Sequence, residues 1–187
     1  MMAVGDLLGL AGMAFAAVRV LSSLPGLGRW RDQPWWLPAG MLLALLPVDG
    51  LSLAGLLRGL FGDLSMASLL LLGLGLWRDE AGRERQRIGL SAGAAALGVC
   101  LYPAALGLGM FDPYRLGFGD LTLLSGLLAA ALLAALRGYG LAAVWLSLAV
   151  LGWALGLGES TNLWNYLIDP WVCLYALAVL LRRVLRH

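Results

Sequence analysis

Long apolar runs with almost no charge recur along the whole chain, and they constrain its fold more than any other feature. Residues 88–108, 121–136 and 140–157 carry no Asp, Glu, Lys or Arg at all. Of the 187 residues, 61% are hydrophobic and only 13% charged, about half the charged share usual in soluble domains. Such a composition cannot supply a polar shell. It points to helices that cross a bilayer, since water-free surroundings demand that each backbone polar group bond within its own helix.

The expected fold is all-α: a polytopic integral membrane helical bundle of about seven transmembrane helices, several of them shorter than the ~20 residues that cross a typical bilayer, which calls for local thinning or tilt. The spans are expected at 6–22, 35–47, 61–77, 88–108, 120–136, 141–157 and 169–185, within one transmembrane domain, 1–187. Residues 51–60 read as an amphipathic segment too short to cross. The break at Pro47, Val48, Asp49 and Gly50 makes the count around it the least firm.

Charge suggests an orientation. All the basic side chains other than His187 are Arg. Arg19, Arg29, Arg31, Arg78, Arg83, Arg85, Arg87, Arg137, Arg182, Arg183 and Arg186 fall to one side of the expected spans. Arg58 and Arg115 fall to the other, with Asp6, Asp49, Asp63, Asp112, Asp120, Glu159 and Asp169. The Arg-rich side is expected in the cytoplasm, which puts the amino terminus outside and the carboxyl terminus inside a prokaryotic inner membrane. Trp30, Trp35, Trp36 and Trp77 near one interface, with Trp164 and Trp171 near the other, fit aromatic belts.

Asp6, Asp63 and Asp120 recur at equal intervals, each in Gly-Asp-Leu at the head of an apolar stretch, and Asp169 heads a fourth. The interval suggests a repeated two-helix unit. Asp ahead of a helix accepts hydrogen bonds from free N–H groups and meets the positive end of the helix dipole. Pro170 suits the first helical position. If the helices bundle, Asp49, Arg58, Asp63, Asp112, Arg115, Asp120 and Asp169 are candidates for one acidic mouth that binds a ligand or partner. Residues 159–169 are the densest polar and aromatic segment, and Glu159, Asn162, Trp164, Asn165 and Tyr166 are added as recognition candidates. Gly5 with Gly9, Gly89 with Gly93 and Gly152 with Gly156 would let helices approach closely.

Much chemistry is excluded. The chain lacks Lys, so Schiff-base and P-loop chemistry have no residue to use. His187 is the one histidine, which leaves no imidazole set for acid–base work or metal binding. No metal and no cofactor are expected. Cys100 and Cys173 lie in apolar stretches and are expected as two buried, inert thiols. The arginines of residues 78–87 are interleaved with acids, which argues against nucleic acid and for anionic lipid.

Gly117-Phe118-Gly119-Asp120 resembles the Gly-x-Gly-Asp motif of intramembrane aspartyl proteases and prepilin peptidases. The resemblance implies a second membrane Asp, for which Asp49 or Asp63 is available, sharing acid and base roles around one water. It covers four residues, and the Lys that usually follows in prepilin peptidases is missing.

The expected function is therefore a non-enzymatic subunit or accessory protein of a larger inner-membrane complex. One alternative is a small transporter or lipid- or solute-binding protein with an acidic, aromatic outer vestibule. The other is an outer-leaflet enzyme with paired carboxylates. Expected partners are membrane lipids and a second membrane protein or another copy of the chain.

Overall fold

A computed structural model describes residues 4–24, 33–76, 80–108 and 110–185. Arg29, Trp30, Arg31, Trp77, Arg78, Arg186 and His187 lie outside the described residues. The chain divides into two compact units. The first is Met1–Leu64 with Leu157–Glu159, and the second is Ser65–Gly156 with Ser160–His187.

The described residues of the first unit form three helices and a hairpin. Helix α1 (Val4–Leu21) packs on α2 (Trp36–Leu45) and α3 (Leu53–Phe61) around Met13, Ala14, Ala44 and Ala54. Between α2 and α3, Pro47–Val48 (β1) pairs antiparallel with Leu51–Ser52 (β2). Asp49 and Gly50 form the two-residue turn, both with positive φ (51° and 85°), as a tight hairpin twisted with its strands requires. Pro47 cannot carry a helix onward, and Ser52 starts α3 by accepting a 3.0 Å hydrogen bond from Gly55 N.

The second unit is larger. Helix α4 (Met66–Gly73) starts at Ser65 and runs into a 3-10 turn, Leu74–Leu76. The longest helix is α5 (Glu80–Ala105), followed by a 3-10 segment, Pro113–Phe118. Helices α6 (Leu121–Leu136) and α7 (Gly140–Ala154) form a hairpin, then come the single turn α8 (Trp164–Leu167) and α9 (Pro170–Val184). α5 packs mainly against α9 and α7. The core holds Leu90, Ala94, Trp145, Ala149, Leu163 and Leu167, and the Trp145 indole donates to Leu167 O at 2.8 Å. Small residues on α5 receive large neighbours. A Cβ at Gly89 would strike the Tyr139 ring, one at Gly93 would lie 2.9 Å from the Trp145 ring, and one at Gly98 would strike Cys173 Sγ. The Gly89/Gly93 pair thus makes room for side chains, not for backbones.

The seven-span bundle is overturned. Among the described residues, one helix, Ala81–Ala105 within α5, is long and apolar enough to cross a membrane, and about a third of it is buried. α2, α6 and α7 are apolar but short. At 1.5 Å per residue α6 reaches only about 24 Å, against a hydrocarbon core of about 30 Å. The stretch expected at 61–77 is cut at Gly62, where φ is 75°, and restarts at Ser65, which leaves the eight residues of α4. With the span count go the orientation drawn from Arg placement and the three functions built on it: accessory subunit of an inner-membrane complex, small transporter or vestibule protein, and outer-leaflet carboxylate enzyme.

The two-helix repeat is corrected as well. Asp6 lies within α1, Asp63 follows α3 in a loop, and Asp120 is the residue before α6. One tripeptide occupies three unlike settings.

Candidate functional site

In the first unit, Arg58 gathers the acids. α3 turns its guanidinium inward, leaving the side chain 12% exposed. Nε and Nη2 grip Asp63 Oδ1 and Oδ2 at 2.6 and 3.1 Å. Nη1 reaches Asp6 Oδ1 at 3.3 Å and Asp6 O at 3.4 Å, and Nη2 reaches Glu159 Oε1 at 2.8 Å. The Asp63 hydrogen bond, followed by the charges of Asp63 and Glu159, outweighs burial and holds Arg58 above its ordinary pKa. The ion pair rests on Gly9 of α1, where a Cβ would fall on the Asp63 carboxylate and 2.6 Å from Arg58 Nε. Asp49 is a turn residue, apart from this cluster.

In the second unit, Asp169 is buried and fully engaged. Its Oδ2 accepts from Ser65 N at 2.9 Å, Ser65 Oγ at 2.8 Å and Ser68 Oγ at 2.6 Å. Its Oδ1 accepts from Val172 N at 2.8 Å and so starts α9, with Pro170 following. Ser65 in turn starts α4 by accepting from Ser68 N. One carboxylate therefore ties the beginnings of two helices. Ser68 was not among the sequence candidates. Its signal is the Ser-x-x-Ser spacing at a helix start, which says nothing of a partner a hundred residues away.

The polar and aromatic segment closes on the 3-10 turn. Asn162, 2% exposed, donates to Tyr114 O at 3.0 Å and accepts from Trp164 N at 2.9 Å. The Trp164 indole donates to Pro113 O at 2.9 Å, and Leu163 N donates to Gly117 O at 2.8 Å. Asn165 donates to Ser160 Oγ at 2.8 Å and accepts from the Tyr114 hydroxyl at 3.4 Å. The Tyr166 hydroxyl donates to Ser160 O at 3.0 Å. Gly117 is needed for the closure, because a Cβ there would overlap the Asn162 amide. Tyr114 was missed in the sequence because its partners Asn162 and Asn165 lie dozens of residues away, whereas Ser160 was passed over within its own segment, where it accepts from Asn162 N, Asn165 and Tyr166.

The remaining candidates have local roles. Asp112 accepts from Tyr114 N at 2.9 Å, and Asp120 accepts from Thr122 N at 2.7 Å. Arg115 lies 5.2 Å from the Phe111 ring centroid. Asp120 belongs to the second unit, whereas Asp49 and Asp63 belong to the first, and Asp63 is held by Arg58. Both cysteines are free, but only Cys173 is buried; Cys100, expected to be buried too, is exposed on α5.

A further set of polar groups lies at the end of the second unit where α5 begins. There Arg85 Nη2 donates to Arg137 O at 2.7 Å and its guanidinium covers the Tyr139 ring at 5.2 Å. Gln86 donates to Gly138 O and accepts from Leu141 N, both at 3.0 Å. α9 runs antiparallel to α5, with Cys173 beside Ala94 and Tyr175 beside Arg87. The last turn of α9, with Arg182 and Arg183, therefore lies at this same end.

No family model, no curated protein and no solved structure matches the chain.

Proposed function

We propose that the protein is membrane-associated and works by contact with lipid, whose acyl chains cover the outer faces of α6 and α9 in the second unit. One observation carries this reading. α6 is apolar apart from Thr122 and Ser125 near its start, yet it buries a single residue fully: Leu127 is 5% exposed, while Leu128, Leu132 and Leu133 are 63, 58 and 57% exposed. Leu121 and Leu136 continue that outer stripe, and Leu174, Leu177 and Leu181 form a similar one on α9. A leucine left in water forgoes about 1.5–3 kcal/mol, and soluble monomers rarely expose contiguous apolar patches beyond a few hundred Å². An apolar phase removes that cost without changing the fold. The candidate side chains fit a framework role here, because Asp63, Asn162 and Asp169 spend their hydrogen bonds internally.

A nitroxide at position 128 tests the proposal, introduced as Leu128→Cys in a Cys100→Ser background and studied in phosphatidylcholine vesicles. Lipid contact makes the label more accessible to dissolved oxygen than to an aqueous nickel chelate. The reverse order overturns the reading. Dipolar broadening between labels on different molecules also overturns it, by placing a second copy of the chain on that face.

A further inference from the structure

The apolar stripes of α6 and α9 both end in arginine, and they end on the same side of the unit. Arg137 follows Leu136 at the close of α6, and Arg182 and Arg183 follow Leu181 in the last turn of α9. Cations at helix carboxyl ends often serve the helix dipole. That role is already filled at the α6–α7 turn, where Arg85 and Gln86 take the carbonyls of Arg137 and Gly138. Nearby Glu84 is bound to Arg87 at 2.7 Å. The exposed side chains of Arg137, Arg182 and Arg183 form no ion pair or hydrogen bond among the described residues.

We infer that Arg137, Arg182 and Arg183 bind the phosphates of anionic phospholipid head groups, so that the protein selects negatively charged bilayers. This rests on the lipid-contact reading above and gives it a chemical preference. The geometry suits the task. A guanidinium on a long stem can lie along the apolar surface and lift its charge to the head-group level. Its planar fork matches phosphate oxygens, which an ammonium does as a point charge only. Three such groups beyond the ends of two lipid-facing stripes stand where the phosphate layer meets the acyl chains.

The test is a competition. The full chain is offered together phosphatidylcholine vesicles and vesicles that also contain phosphatidylglycerol, and the two populations are separated by density. Native protein is expected to favour the anionic vesicles. With each cation near an anionic surface contributing about 1 kcal/mol, Arg137→Gln, Arg182→Gln and Arg183→Gln combined should reduce that preference by on the order of a hundredfold at low salt. Total vesicle binding should persist, because the apolar stripes are untouched. The triple Arg→Lys variant, which keeps charge and fold, should retain most of the preference. An even distribution of native protein, or an unchanged preference in the Gln variant with native helix content, overturns the inference while leaving lipid contact standing. Loss of native binding to both vesicle types defeats the lipid-contact reading itself. Competition by inorganic phosphate beyond that of chloride at equal ionic strength overturns the head-group assignment in favour of the free ion.

Discussion

Arg58 holds Asp63 with two nitrogens, across the turn that Gly62 makes after α3. Replacing Arg58 by Met leaves three carboxylates facing one another with no cation between them. The expected loss is about 2 kcal/mol of unfolding free energy for Arg58→Met, about 1 for Asp63→Asn and less than about 0.5 for the largely exposed Glu159→Gln. Chemical unfolding of each variant in one fixed detergent, followed by circular dichroism, checks the order.

Asp169 offers a sharper case, since three donors converge on Oδ2. Asn at this position has one oxygen to offer and turns an amide toward donors. Asp169→Asn should destabilise the second unit by about 2–3 kcal/mol, against about 1 for Ser65→Ala or Ser68→Ala. Combining Asp169→Asn with Ser68→Ala should cost less than the two separately, because both break the same bond. Additive losses in a double-mutant cycle would show that the network is not coupled.

Gly117→Ala is expected to open the contact between the 3-10 segment and Asn162. Overpacking of this kind costs about 1–3 kcal/mol. Adding Asn162→Ala should recover part of the loss by making room, although it forfeits the bonds to Tyr114 and Trp164. Amide hydrogen exchange at Leu163, whose N–H donates to Gly117 O, reports the opening directly.

Asp120 carries a pH signature. Hydrogen bonds from Thr122 hold its carboxyl below the usual carboxylate range, and Arg115 adds to the effect. The folded value is the lower one, so its contribution to stability is present above the ordinary carboxylate value and fades as the pH falls through the folded value. Thr122→Val removes the hydroxyl and keeps the backbone donor. The Asp120 titration, followed by carboxyl NMR, should then move partway back toward the ordinary range. An unmoved titration would show that the hydroxyl has no part in it.

Helix starts were legible in the sequence because their signals are local. Asp120 and Asp169 each accept from an N–H two or three residues on, and Pro170 follows its cap. Helix lengths were not legible. The apolar run from 61 onward looks continuous, and its interruption depends on a positive φ at Gly62 and on Asp63 turning back to Arg58. Asp63 shares its tripeptide with Asp120, and an arginine precedes each, but Arg58 closes an ion pair with Asp63 whereas Arg115 reaches Asp120 only as a nearby charge. Convergence at Asp169 and Asn162 was hidden for a different reason. Their partners Ser65, Ser68 and Tyr114 lie far along the chain, where periodicity and composition carry no information about pairing.

The sockets along α5 have a mechanical consequence. Tyr139, Trp145 and Cys173 plug into hollows at Gly89, Gly93 and Gly98, and they come from two different neighbouring elements and the turn between α6 and α7. A slip of α5 by one turn, about 5.4 Å, would set Cys173 against Ala94 or Tyr102 and one of the two rings against Arg85 or Leu97, while the other ring met a glycine. α5 is thus keyed like a spindle in its bearing, and any working stroke of this protein must pivot on something other than its longest helix.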